Sequence, residues 1–391
     1  MFARRTEWDL TPNKLSRKLA ELRGRGEEIL DLTESNPTRV GLQYPDGLLK
    51  ELADPRGLLY EPDPRGLLAA RKTVASIYAA KGTVVDPERI FLTASTSEAY
   101  SMLFRFLADP GEQVLVPRPS YPLFGYLAGL NDLETVSYPL HLDGDLRWRV
   151  GLEEIEEAMT ARTRVLVVVH PNNPTGSCLT EEERSAAAAL CARRGAAMIC
   201  DEVFAEYLHP AGRQVPATLL RGDGPLTFAL GGLSKWMGLP QMKLSWIACA
   251  GPAPQVSGAL ARLEVIADTS LSVNTPVQAA FPRWAALTPS VQRQIRERVQ
   301  TNRGWLKSSL PPPVRLLPAD GGWSAVLKIP SMKDEESWVL ELLERHRVLA
   351  HPGYFYDFEQ PGIAVVSLLP PPARFQQGIG RLLANSVTIG K

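Results

Sequence analysis

Three polar groups in this chain stand at the ends of apolar runs, and their types suit one kind of chemistry. RVLVVV leads into His170-Pro171-Asn172-Asn173-Pro174-Thr175-Gly176, AAMIC leads into Asp201-Glu202, and LTFALGG is followed by Ser234-Lys235. A lysine amine forms a Schiff base with an aldehyde, and a carboxylate pairs with the protonated nitrogen of a pyridine ring. Such a carboxylate keeps the ring cationic, so that it accepts electrons from a carbanion made at a substrate carbon. An Asn amide donates to a phenolic oxygen on the ring. A phosphate on the same molecule needs N–H donors, best supplied by a helix N-terminus. Thr93-Ala94-Ser95-Thr96-Ser97, between a strand pattern and a helix pattern, offers small hydroxyl residues and an open helix start. Ser234 and Lys243 flank Lys235 and add a hydroxyl and a charge. Taken singly, each feature has an ordinary structural reading: a turn, a helix cap, a solvated lysine. Their common position needs a single explanation, because the C-terminal ends of parallel strands line the ligand crevice of an α/β sheet.

The elements that must hold these residues are readable from periodicity. Asn13–Arg25, with Leu15, Leu19 and Leu22 among basic residues, predicts a solvated amphipathic helix. ILDLTESNPT is a short apolar run ending in a turn around Ser35-Asn36-Pro37. Leu67–Lys81 and Ser97–Leu107 predict helices, and Ile90–Leu92, Gln113–Val116, Arg164–His170, Ala196–Cys200 and Leu226–Leu230 predict short, wholly apolar strands. Thr180–Arg194 reads as a helix opened by a capping box of Thr180 and Glu183. Strands apolar on both faces, alternating with helices, specify a three-layer α/β fold with a mostly parallel sheet. The C-terminal third differs. Ser290–Lys307 is a charged helix, Pro311-Pro312-Pro313 is a connection, and strands near Ser324–Ile329 and Ile363–Leu368 flank a helix at Ser337–Arg347. That third is expected to form a smaller α+β unit.

The whole-chain quantities narrow the function classes. At about 100 to 200 residues per domain, 391 residues make two domains. Lys and Arg total 43 against 43 Asp and Glu, so the net charge of zero gives no footprint for nucleic acid or an anionic membrane. Four cysteines with no C-x-x-C pair indicate a reducing compartment and no disulfide framework. The charged, proline-containing start MFARRTEWDLTPNKL is not a signal peptide, and no apolar run approaches the ~18 residues of a membrane helix. The expectation is a soluble, cytoplasmic protein. Gly24-x-Gly26 and Gly378-x-Gly380 do not follow strands, which argues against a dinucleotide fold. No His or Cys group has metal-ligand spacing, and no G-x-S-x-G elbow is present.

Through PNNPTG, DEVF and LGGLSKWMGLPQMKLSW, in that order, the chain resembles the fold-type-I, pyridoxal-phosphate-dependent class I/II aminotransferases. The resemblance runs from about Asp31 to Leu383, with 28 residues from Asn173 to Asp201 and 34 from Asp201 to Lys235. It implies a cofactor, pyridoxal 5'-phosphate, and a reaction moving an amino group from an amino-acid or amine donor to a 2-oxo acid or other carbonyl acceptor. By the same resemblance Lys235 is the cofactor-bound lysine and catalytic base, Asp201 holds the pyridine nitrogen, and Asn173 contacts the ring hydroxyl. Ser95, Thr96 and Ser97 bind the phosphate, and Tyr121 stacks on the ring. Tyr60 reaches the phosphate of a neighbouring subunit, which implies a homodimer with shared active sites, and Asn36 lies in a loop over the substrate. A large domain at residues 48–281 and a small one from 1–47 plus 282–391 are expected, with the substrate cleft between them.

Four positions depart from the family pattern. Phe204 stands where a Tyr usually donates to the ring oxygen, with Tyr207 as the available compensation. Gly232 replaces a phosphate-binding Ser or Thr, and Lys243 replaces an Arg, keeping the charge but not the fork. Val365 aligns with the Arg that grips the substrate carboxylate, leaving Arg374 and Arg39 as candidate substitutes. A bidentate Arg is the usual means of orienting an α-amino acid. Without one, the substrate is an amine, or an amino acid held elsewhere. A lyase or decarboxylase on the same scaffold, or a non-catalytic regulatory relative, are the alternatives; retention of Lys235, Asp201 and Asn173 together favours working chemistry.

Overall fold

Local capping and glycine exits set the element ends in the computed structural model, which describes residues 1–144, 147–209, 214–330, 332 and 334–388. Helix α1 (Lys14–Gly24) starts where Asn13 Oδ1 accepts the Ser16 N–H at 2.7 Å, and it buries Leu15 and Leu22. Strand β1 (Leu30–Asp31) follows, then α2 (Leu68–Ala80), β2 (Ile90–Thr93), α3 (Thr96–Leu107), β3 (Gln113–Arg118) and α4 (Phe124–Gly129). An edge hairpin, β4 (Glu134–Asp143) and β5 (Arg147–Val150), leads through α5 (Leu152–Ala158) into β6 (Thr163–Val169). The predicted capping box opens α6 (Glu181–Arg194): Thr180 Oγ1 accepts the Glu183 N–H at 3.1 Å, and the Glu183 carboxylate accepts the Thr180 N–H at 2.7 Å. Beyond it come β7 (Ala197–Asp201), β8 (Thr227–Gly232), the short α7 (Leu233–Trp236), β9 (Ser245–Ala250) and α8 (Ala253–Asp268).

The central sheet has the order β2-β9-β8-β7-β6-β3-β4-β5. Strands β8, β7, β6, β3 and β4 run parallel, while β9 is antiparallel to both β2 and β8 and β5 is antiparallel to β4. Alternate side chains of one strand enter different cores: Val165, Val167 and Val169 face one apolar cluster, and Leu166 and Val168 face the other. That two-sided burial is why these strands read as continuous apolar runs. Because β2, β6, β7 and β8 point the same way, Thr93, Val169, Asp201 and Gly232 finish at one edge of the sheet.

The remaining elements are α9 (Thr275–Ser309), β10 (Arg315–Leu316), β11 (Ser324–Lys328), α10 (Glu335–His346), β12 (Val348–Leu349), β13 (His351–Pro352), β14 (Ile363–Ser367) and α11 (Pro372–Thr388). A second, antiparallel sheet has the order β10-β11-β14-β13, and β1 pairs in parallel with β12, tying the N-terminal segment to the C-terminal third. The charged helix expected at Ser290–Lys307 is the second half of α9, which spans 35 residues and contains Pro282 and Pro289. Its first half, with Val277, Phe281 and Trp284, belongs to the core of the large sheet. Its second half, with Val291, Ile295 and Val299, belongs to the core around the small sheet. The division expected at 281/282 therefore lies inside one helix. Among the described residues, no helix is long and apolar enough to cross a membrane.

Candidate active site

The strand ends converge on a cavity of about 320 Å³ roofed by the small sheet. Thr96, Ser97, Tyr121, Asn173, Asp201, Ser234 and Lys235 all line it, together with Thr33, Ser35, Tyr100, Val169, Val203, Phe204, Gly232, Ser245, Trp323, Ser324, His351 and Tyr356. Two glycines let the roof come down. A Cβ on Gly176, at φ +69°, would lie 2.3 Å from the Gly321 carbonyl, and one on Gly321 would meet Pro171 and the Tyr207 carbonyl at 2.8 Å. Gly176 O accepts the N–H groups of Asp320 and Gly321 at 2.9 and 3.0 Å, which sets Trp323 and Ser324 over the pocket.

Lys235 lies in the single turn of α7, and Tyr207 fixes that turn by donating its hydroxyl to the Lys235 carbonyl at 2.7 Å. The ammonium carbon chain runs to a Nζ 5.0 Å from the Trp323 ring centroid and 5.5 Å from that of Phe204. Burial lowers the amine to about 8, partly opposed by the Asp201 charge. Asp201 is buried at the end of β7, where its carboxylate accepts from the Tyr100 hydroxyl at 3.0 Å and the Val203 N–H at 3.2 Å. Burial raises it to about 6, against those two hydrogen bonds and the Lys235 charge. Desolvation disfavours the charged form of each, so the amine falls and the acid rises.

The loop after β6 is held by Asn172, fully buried. Its amide donates to the Pro119 carbonyl at 3.0 Å and to Thr175 Oγ1 at 2.8 Å, and its Oδ1 accepts from Ser120 at 2.5 Å. Asn173 is thereby turned into the pocket, and its Oδ1 accepts from Ser324 Oγ at 3.3 Å. His170 is a satisfied strand-end residue, with Nδ1 accepting the Leu179 N–H and Nε2 at 2.9 Å from the Pro216 carbonyl.

At the start of α3, Ser95 is the cap, its hydroxyl accepting the Glu98 N–H at 3.1 Å, and it does not line the pocket. Thr96 and Ser97 face inward with the first N–H groups of the helix. Across from them, the hydroxyl missing at Gly232 is replaced by a neighbour. Gly232 pairs with Ser245 in the β8–β9 ladder, and a Cβ on Gly232 would lie 2.3 Å from Ser245 Oγ. Glycine is required there to admit the serine hydroxyl.

Five further predicted residues lie outside the pocket lining. Lys243 sits at φ 51° with buried Met242 and Leu244 on either side, which turns its own side chain to solvent. Buried Pro37 and Val40 do the same to Arg39, and Asn36 spends its carbonyl on capping the Thr38 N–H and hydroxyl. Arg374, in the first turn of α11, is exposed and paired with Glu28 at 2.9 Å. Tyr60 is 82% exposed and borders a separate hollow with Pro62, Asp63 and Ser272. Tyr207, engaged with the Lys235 carbonyl, does not take the place of a hydroxyl at Phe204. Ser245, Trp323, His351 and Tyr356 were not anticipated. Only cross-strand register and the docking of the small sheet bring them here, and neither has a local signal.

The family model for aminotransferase class I and II matches residues 27–367. A glutamate-pyruvate aminotransferase of Haemophilus influenzae is 27% identical over 377 residues, covering 92% of this chain and 91% of the relative. An alanine aminotransferase of Mycobacterium bovis is 27% identical over 375 residues, covering 93% and 86%. In structure, the alanine aminotransferase of Pyrococcus furiosus superposes with a TM-score of 0.88 at 22% identity over 100% of both chains. A mutant aspartate aminotransferase of Thermus thermophilus gives 0.84 at 20% identity, covering 98% and 99%.

Proposed function

Because the chain belongs to the class I and II aminotransferases, its activity is amino-group transfer, and we propose that it runs on pyridoxal 5'-phosphate held in this pocket. The observation that carries the reading is the pairing, in one cavity, of a buried amine brought down to about 8 with a buried carboxylate. When bound, the cofactor supplies an aldehyde for amine exchange and a cationic ring that takes up the electron pair released at the substrate carbon. The chain's own residues do the rest. Asp201, oriented by Tyr100, keeps a proton on the ring nitrogen. Asn173 has its Oδ1 occupied by Ser324, which leaves its NH2 to donate to the ring oxygen. Thr96, Ser97, Ser234 and Ser245, with the N-terminal N–H groups of α3, suit the phosphate, and the Gly232 gap is the fit that admits Ser245. Tyr121, held edge-on by Phe124 at 5.9 Å, offers its face to the ring. Lys235 Nζ, neutral in useful proportion near pH 7 to 8, would serve as the base that takes the proton from the substrate carbon.

Alanine, glutamate and pyruvate are the first probes, from the names of the relatives. Leu58, Leu59 and Tyr60 are consecutive exposed apolar residues, which supports a homodimer in which Tyr60 serves the partner's site. Four free, buried cysteines support a reducing, cytoplasmic setting. The large domain at 48–281 and the small one from both chain ends remain the division we favour, with α9 shared.

Borohydride reduction of the loaded protein, followed by peptide mass spectrometry, tests the assignment. Cofactor fixed on the Lys235 peptide of the wild type and none on Lys235→Ala is the expected result. A labelled Lys235→Ala protein would overturn it.

A further inference from the structure

The pocket floor serves the ring and its lysine, but one group on the roof has no such duty. His351 lines the cavity from β13 beside Tyr356. Its Nδ1 lies 3.0 Å from the Tyr356 hydroxyl, and among the described residues its Nε2 has no hydrogen-bond partner. Burial pushes the Tyr356 hydroxyl up to about 12, so it stays protonated and stands as a donor within reach of Nδ1. With Tyr356 as the donor, the ring proton sits on Nε2 of this cavity-lining imidazole. Phe355 and Tyr356, with ring centroids 5.5 and 5.9 Å away, hold the imidazole in place.

The register places this imidazole where a charge clamp is missing. His351 is directly opposite Val365 in the β13–β14 ladder. Opposed residues of an antiparallel pair carry their side chains on the same face, with Cβ atoms roughly 5 Å apart. Val365, fully buried and apolar, offers nothing polar on that face, whereas His351 beside it reaches the cavity. Of the lining residues, Lys235 is the only one with an amine or guanidinium, and it is committed to the chemistry. Thr33, Ser35 and Ser324 already donate their hydroxyl protons to Asp31 Oδ1, the Thr33 carbonyl and Asn173 Oδ1, so the donors left on the roof are His351 and the buried, unpartnered Trp323 Nε1–H. An anion brought into such a cavity must find donors there.

Resting on the amino-transfer reading, we propose that His351, oriented by Tyr356, receives the carboxylate of an amino-acid or 2-oxo-acid substrate through its Nε2–H. Recognition is then by a single imidazole donor instead of a guanidinium fork. A one-point donor orients the substrate less strictly than a bidentate pair and discriminates less strongly between an amino acid and the corresponding amine.

Equilibrium binding reads this without turnover. The cofactor-loaded wild type, His351→Ala, His351→Gln and Tyr356→Phe proteins are titrated calorimetrically with propionate and 3-phenylpropionate, and with their primary amides. Wild type is expected to prefer carboxylate over amide by roughly tenfold or more, the scale of a charged hydrogen bond. His351→Ala brings the ratio to within about twofold by weakening only the carboxylate, His351→Gln keeps part of the preference, and Tyr356→Phe falls between. In turnover, KM for L-alanine rises in His351→Ala while kcat changes little. A preference that survives His351→Ala, a wild type with no preference, or equal weakening of acid and amide would each overturn the assignment. A protein that binds carboxylates through His351 yet transfers no amino group overturns the functional reading alone.

Discussion

Burial acts in opposite directions on the two ionisable residues that share the pocket, and both effects are measurable. Lys235 at about 8 means that the free amine, the nucleophilic form, is populated far below the ~10.4 of an exposed lysine. The rate at which the cofactor-free protein captures pyridoxal phosphate is therefore expected to rise with pH and level off just above about 8, measured by stopped-flow absorbance. A rate still climbing steeply at pH 10 contradicts the burial argument. The sign for stability follows from the same shift. A folded-state value below the unfolded one means the unfolded chain holds more protons between about 8 and ~10.4, so Lys235 makes the cofactor-free fold gain stability as pH rises through that window. Gly232 supplies a second residue-scale test. Gly232→Ser alone crowds Ser245 Oγ and is expected to cost about 1–3 kcal/mol and weaken cofactor binding. Adding Ser245→Gly should restore both, read by thermal melts and cofactor titration. Lys235, Asp201 and Asn173 were legible in the sequence because their side-chain chemistry is distinctive and each follows an apolar run. Ser245 and His351 were not, since each owes its position to the residue across a ladder.

At the scale of elements, the sequence spoke most clearly where a short-range rule applies. The Thr180–Glu183 box and the apolar runs of β6, β7 and β8 depend on neighbours within a few residues. Strand β9 is itself a short apolar run, and what leaves no local trace is that it runs against its neighbours. The front half of α9 holds Pro282 and Pro289 inside the helix, where a proline ordinarily signals a break. The loop from Asn172 to Ser177 looked like an ordinary turn, yet Gly176 is a docking point for the small sheet. Gly176→Ala meets both an unfavourable φ and a carbonyl 2.3 Å away. We expect it to destabilise by about 3 kcal/mol or more in denaturant titration, and to loosen Trp323 over Lys235 so that kcat falls as well. A variant that melts like wild type would remove the loop from the account of how the roof is held.

At the scale of the molecule, the consecutive exposed apolar residues Leu58, Leu59 and Tyr60 lead to an expectation about assembly. Sedimentation should give twice the 43.0 kDa chain mass, and Leu58→Lys, at a side chain 89% exposed, should shift the population toward monomer with loss of activity. A monomer of full activity would dismiss the shared-site reading. Helix α9 bears on the molecule as a machine. Mechanically it is a cantilever built into two foundations, since its first half is fixed in one core and its second half in the other. Relative movement of the two parts must strain this beam, and the beam is softest where Pro289 supplies no N–H to the Ala285 carbonyl. Pro289→Ala, at an exposed site, closes that gap and is expected to add about 2 kcal/mol of stability, read by denaturant titration. Stiffness gained at that joint should appear as slower turnover, because the floor that holds the lysine and the roof that holds the imidazole are carried on opposite ends of the same rod.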